Sequence, residues 1–179
     1  MSLQKWVKLS SEVFHENKWW QGICDRFRLP NGKEGNYYYV SVLGTVMIVA
    51  VNFEGKILLH RQYRYLFDKI SLELPCGGIK PSQNPETAAQ AELAEETGFS
   101  AKVLKKIGYF LSSNGLTNQV CHVFLARDLF PAVTEKDETE DFEAVTMSPQ
   151  EIDQAIISGE IDDGLVIASW TLAKPYLKK

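Results

Sequence analysis

Three cysteines, at positions 24, 76 and 121, are too few and too widely spaced to build a disulfide scaffold. No Cys-x-x-Cys pair occurs, and the odd count suits a reducing compartment, so a cytoplasmic location is expected. No apolar run approaches the roughly 20 residues that a membrane span needs. The first twenty residues, MSLQKWVKLSSEVFHENKWW, lack the basic-then-apolar layout of a signal peptide. Positive charge is not in excess either: 19 Lys and Arg against 23 Asp and Glu leave a net −4. That gives no basic stripe for nucleic acid. Internal repeats and low-complexity tracts are missing too. What remains is ordinary for a soluble globular protein, 45% hydrophobic and 23% charged over 179 residues. Such a length carries one domain with a sizeable core, with room for a small appended subdomain.

Strand signals dominate the first half. Trp19 to Leu29 alternates loosely and is aromatic, and Pro30-Asn31-Gly32-Lys33 is a hairpin turn. Tyr37 to Val51 is rich in β-branched and aromatic residues, which predicts two strands or one strand bent near Gly44. Lys56 to Arg61 predicts another. The first forty residues thus read as a small antiparallel sheet. Trp6, Trp19 and Trp20 give it more aromatic surface than it can bury alone. A dimer contact, a base-stacking site or packing within the chain would use that surface. Further strands are expected over Lys102–Leu111, Val120–Ala126 and Phe142–Met147. Ser148, Pro149 and Glu151 form a capping box for a helix to about Ser158, and a last helix begins at Asp162 or Asp163. A mixed sheet flanked by helices follows.

The chain is organised around Leu72–Phe99, LELPCGGIKPSQNPETAAQAELAEETGF: a short apolar strand, a Gly/Pro-rich loop and a helix. Asn84 is the expected N-cap, Pro85 the first helical residue and Gly98 the left-handed stop. Glu86 complements the helix dipole in the first turn. Glu92, Glu95 and Glu96 fall within an arc of roughly a hundred degrees on that helix. Like charges at such spacing cost about 0.2–0.5 kcal/mol per pair, and no Lys or Arg between Asn84 and Phe99 offsets them. A solvated face is the ordinary reading of glutamates on a surface helix. The glycine loop before the helix and the glycine stop after it favour a bound cation. Three hard oxygen donors suit Mg²⁺ or Mn²⁺.

This stretch resembles the signature of the Nudix hydrolases: a glycine, five residues, Glu, seven residues, then Arg-Glu-apolar-x-Glu-Glu-x-Gly-apolar. Glu92 to Phe99 matches at every defined position and Gly77 is the opening glycine. Gln83 stands where the signature has its first glutamate, and Ala91 where it has arginine. The resemblance covers most of the chain. Arg61-Gln62-Tyr63-Arg64-Tyr65, Leu72-Glu73-Leu74-Pro75, the front strands and the acidic loop Thr134–Asp141 look like the ADP-ribose and nucleoside-diphosphate-sugar pyrophosphatases of that family.

The resemblance implies an α/β (α+β) protein: a Nudix-type α/β/α sandwich with a mixed sheet over residues 46–179. A small antiparallel sheet in residues 1–45 precedes it and serves dimerisation. It implies Glu92, Glu95, Glu96 and the Cys76 carbonyl as ligands of Mg²⁺ or Mn²⁺. Glu138 or Glu140 is the implied base, with Glu95 also at the chemistry. Arg64 is a diphosphate or ribose clamp; its plain alternative is a solvated arginine at a strand end. Trp19 and Trp20 would shape the base site across a homodimer, and Asn118 lies in the loop at the sugar end. By composition alone the acidic loop is an ordinary charge cluster. The implied reaction is metal-dependent hydrolysis of a nucleoside diphosphate sugar to a nucleoside monophosphate and a sugar phosphate. The signature's arginine ordinarily orients one of its carboxylates, and Ala91 leaves that task to another residue. Gln83 and Ala91 therefore also motivate an alternative, a nucleotide-binding sensor with impaired catalysis.

Overall fold

The computed structural model describes residues 3–132 and 142–177, so the acidic loop with Glu138 and Glu140 lies outside the described residues. The chain divides into two compact units, residues 1–43 with 111–119 and residues 44–110 with 120–179.

The first unit is a three-stranded antiparallel sheet, β1 (Val7–Glu16), β2 (Gln21–Arg28) and β3 (Glu34–Ser41), in that order. Asn17 makes the first turn, its side-chain oxygen accepting from the N–H groups of Trp19 and Trp20. The expected Pro-Asn-Gly turn makes the second, with Gly32 at φ 85°. Residues 113–119 run beside β3: Val40 N–H donates to the Leu116 carbonyl at 2.9 Å. All ten residues of β1 are exposed. Trp6, Trp19 and Trp20 are 54%, 72% and 37% exposed, so among the described residues none of them is buried in a core, although Trp6 stacks on Phe27.

In the second unit the organising strand is β4 (Thr45–Val51), buried at every position. Gly44 opens it at φ +110°, a conformation that side chains resist, which is why Tyr37–Val51 forms two strands. β5 (Ile57–Arg64) runs past the expected end at Arg61, because Gln62, Tyr63 and Arg64 find partners on β6 (Lys69–Glu73). β7 (Cys76–Gly78) pairs antiparallel with β4. Helix α1 (Pro85–Thr97), β8 (Phe99–Leu111), β9 (Val120–Pro131), β10 (Glu143–Met147), α2 (Pro149–Ser158) and α3 (Gly164–Leu177) complete the order. The sheet runs β10-β5-β4-β9-β8, with β6 on β5 and β7 on β4. β4 and β9 are parallel, which makes the sheet mixed.

Alternation along β4 builds the two cores. Val46, Ile48 and Ala50 pack against Ala88, Ala89 and Leu93 of α1. Met47, Val49 and Val51 face the other way, toward Ile152 of α2 and Val166 and Trp170 of α3. Three layers result, helix on sheet on two helices. The small Ala88 and Ala89, both fully buried, let α1 lie close to β4. Ser148 and Glu151 form the expected capping box. The last helix starts at Gly164 rather than at Asp162 or Asp163, because the Asp163 carboxylate accepts from the N–H groups of Leu165 and Val166 and so caps it.

Candidate catalytic and metal-binding site

Helix α1 is set by its ends. The Asn84 side chain accepts from Thr87 N–H at 2.8 Å, and Gly98 at φ 72° donates its N–H to Ala94 at 2.9 Å. The loop before it is stitched along β4. Ile48 N–H donates to the Pro75 carbonyl at 2.8 Å, the Thr45 hydroxyl to the Gly77 carbonyl at 2.6 Å, and Ile79 N–H to Gly44 at 3.1 Å. Gln83 closes the loop onto itself, accepting from Lys80 N–H through its side chain at 3.0 Å. A carboxylate could take the same hydrogen bond, so Gln83 keeps the task while losing the charge.

Two of the three glutamates meet this loop. Glu92 lies directly over Gly77: a Cβ there would stand 2.1 Å from the Glu92 carboxyl carbon and 2.2 and 2.4 Å from its oxygens. Only glycine leaves that space. Glu96, with a side chain 7% exposed, accepts from Cys76 N–H through Oε2 at 2.9 Å. Glu95 is solvent-exposed. Glu92 and Glu96, one turn apart, are thus the pair that the fold brings to the Cys76–Gly77 backbone.

Beneath Glu96 lies a residue the sequence reading passed over. His60 of β5 is 1% exposed, with Nδ1 3.6 Å from Glu96 Oε2, beyond hydrogen-bond distance. Neither ring nitrogen has a hydrogen-bond partner among the described residues. Burial, opposed by the Glu73 charge and aided by Arg64, pushes its pKa down to about 4. The contact with Glu96 therefore involves a neutral imidazole at pH 7. The one signal in the sequence was a histidine directly after the apolar run Ile57–Leu59.

Arg64 ends β5 and keeps part of its side chain in solvent, but its guanidinium is paired. Its Nε donates to Glu73 at 2.7 Å and one terminal nitrogen makes a second, short bond to the same carboxylate. Glu73 pairs across the ladder with His60, so Arg64 reaches back along the sheet face to meet it. Burial raises the Glu73 pKa, but the Arg64 hydrogen bonds and charge, with Ser71 and His60, outweigh it and hold the carboxyl below its ordinary value. A cavity of about 450 Å³ lined by Arg64, Phe67, Glu73, Cys76 and Asp163 opens here. A larger one, about 790 Å³, is lined by Phe53, Phe99, Lys102 and Phe130. Neither lining includes a signature glutamate, but the smaller one includes Cys76, whose N–H meets Glu96.

Arg64→Ala leaves Glu73, 3% exposed, as an uncompensated charge. The expected loss at pH 7 lies below the roughly 3–5 kcal/mol of fully buried pairs, because the Arg64 side chain is 42% exposed. The native pair contributes stability above the ordinary glutamate pKa of about 4.3. That contribution is lost as pH falls through the depressed folded value. Urea melts of both proteins should therefore show a gap that is present at pH 7 and shrinks as pH falls below about 4.3. A gap independent of pH would contradict the assignment.

The remaining sequence-predicted residues lie in the first unit. Asn118 donates to the Ser41 hydroxyl and accepts from Val42 N–H, both at 2.9 Å, so its amide ties the loop to the end of β3. Trp19 lies under the Lys18 ammonium at 4.2 Å, and Trp20 packs against His15 with ring centroids 4.7 Å apart and planes tilted by 35°.

Among the described residues no three His, Cys, Asp or Glu side chains converge to cage a metal. The donors present nevertheless fit Mg²⁺ or Mn²⁺, hard ions that use one or two carboxylates with backbone oxygen, water and substrate phosphate. Glu92 in a cradle that a Cβ would fill, beside Glu96, supplies that pair.

The family model for the NUDIX domain matches residues 43–168. The chain belongs to the Nudix hydrolase family. It is 38% identical over 128 residues to the ADP-ribose pyrophosphatase of Bacillus subtilis, covering 72% of this chain and 69% of that protein. To the ADP-ribose pyrophosphatase of Mycobacterium tuberculosis it is 28% identical over 164 residues, 89% and 79% of the two chains. The solved structure of an ADP compounds hydrolase superposes with a TM-score of 0.88 at 23% identity, covering 99% of this chain and 96% of that one. This likeness shows the Nudix fold. No helix among the described residues is long and apolar enough to cross a membrane.

Proposed function

We propose that this Nudix hydrolase cleaves the diphosphate linkage of ADP-ribose or a related nucleoside diphosphate sugar, with Mg²⁺ or Mn²⁺ as its cofactor. The observation that carries the reading is the seating of Glu92 and Glu96 on the Cys76–Gly77 backbone. The relatives named ADP-ribose pyrophosphatase support the substrate class.

Glu92 and Glu96 hold the ion, and the Cys76 carbonyl is a further ligand. Glu95, exposed on the same helix, is assigned a part in the chemistry beside that pair. When bound, the ion neutralises the diphosphate and polarises phosphorus for attack by water. Glu138 or Glu140 of the acidic loop is the proposed base. The Arg64–Glu73 fork borders the cavity beside Cys76 and orients the substrate. Trp19, Trp20 and Asn118 are assigned to the base and sugar ends within a cytoplasmic homodimer that the exposed front-sheet aromatics would join.

The test is a panel of ADP-ribose, GDP-sugars and UDP-sugars, incubated with Mg²⁺, with Mn²⁺ and with chelator. The expected products are a nucleoside monophosphate and a sugar phosphate, formed only with metal. No turnover of any substrate, alongside thermal stabilisation by a nucleotide, would sink the enzyme and establish the sensor suggested by Gln83 and Ala91.

A further inference from the structure

Helix α1 carries four glutamates, three of them Glu92, Glu95 and Glu96 in its second half, and no basic residue lies from Asn84 to Phe99. At Ala91, one residue before Glu92, the side chain ends at a methyl group and can hold nothing in place. A carboxylate that must meet an ion in one orientation needs donors to fix it, and such outer partners are worth about 10–100-fold in affinity or activity. Glu96 has one such donor from the loop, Cys76 N–H at 2.9 Å on Oε2. The side chain facing the same oxygen from the sheet is His60, Nδ1 at 3.6 Å.

We propose that His60 is a positioning residue for Glu96, donating from Nδ1 once the carboxylate is drawn into its working position. Three observations support this. Both ring nitrogens are buried and lack hydrogen-bond partners among the described residues, a state costing about 1–3 kcal/mol. The ring is held by its neighbours: Glu73 lies across the β5–β6 ladder and Phe142 packs on it at 4.6 Å. Nδ1 stands 3.6 Å from Glu96 Oε2, close enough for a small shift of the carboxylate to bring it within hydrogen-bond distance.

The inference rests on the metal-dependent reading, and the test separates the two. His60→Leu keeps the volume and removes the donor, whereas His60→Asn loses volume but places an N–H near the position of Nδ1. Mn²⁺ affinity is read by calorimetry in the absence of substrate, and kcat and KM separately. His60→Leu should bind Mn²⁺ about 10–100-fold more weakly and lose kcat to a similar extent, with KM little changed and thermal stability equal or higher. His60→Asn should stay within about threefold of wild type, because it restores the donor. If His60→Leu does not fold, His60→Val serves as the donor-free variant. Wild-type Mn²⁺ affinity in a donor-free variant, or equal losses in the Leu and Asn variants, would overturn the positioning role. A wild-type protein that binds no Mn²⁺ would instead overturn the metal-dependent reading itself.

Discussion

Glu96→Gln should lower metal-dependent turnover by a factor on the order of 10²–10³ while the protein stays folded. On the proposed function a metal held here would supply several kcal/mol of charge stabilisation, and about 1.4 kcal/mol corresponds to each tenfold in rate. Gln retains an oxygen for Cys76 N–H, the hydrogen bond now made at 2.9 Å, so the loop keeps its anchor. The side chain is 7% exposed, and neutralising it removes a buried charge beside Glu92. Thermal stability should therefore be unchanged or slightly higher without metal. In the presence of Mn²⁺ it should fall behind wild type, whose folded state gains by binding the ion. Activity at the wild-type level would show that Glu96 is not a ligand.

Gly77→Ala should be nearly as damaging, for a purely steric reason. Its Cβ would lie 2.1–2.4 Å from the Glu92 carboxyl atoms. The clash falls on the tip of a flexible side chain, so the fold can yield at a cost under about 1 kcal/mol. Glu92 must then leave its seat. A displacement of about 1 Å in a reacting array can cost about a hundredfold in rate. Gly78→Ala is the control, since a Cβ there meets nothing within 4 Å. Circular dichroism melts and Mn²⁺ titration of the two variants should agree in stability and differ in affinity. Equal affinities would mean that Glu92 does not need this seat.

The expected helix ends and the break at Gly44 were legible because capping and turn chemistry act over a few residues. Asn84, Pro85, Gly98, Ser148 and Glu151 do in the fold what their types predict. Strand ends were less legible. β5 continues to Arg64, β8 begins at Phe99 and β9 runs to Pro131. In β5 the continuation is set by the partner strand β6, which local sequence cannot supply. The same limit applies to the tryptophans of the front sheet. Their number was plain in the sequence; that they stay exposed depends on how β1 to β3 are covered.

Sequence alone determined that Glu92, Glu95 and Glu96 share one side of a helix behind a glycine loop, because helical periodicity and capping are local. It also showed the two departures, Gln83 and Ala91. Only the tertiary structure decided which glutamates meet the loop, since that depends on how α1 lies against β4 and β7. It placed Glu92 over Gly77 and Glu96 on the Cys76 amide, and left Glu95 exposed. It also brought His60, 31 positions before Ala91 in the chain, to the carboxylate that α1 itself gives no cation. Side chains from a strand and a helix meet through sheet register and layer packing, and neither is written in a local pattern.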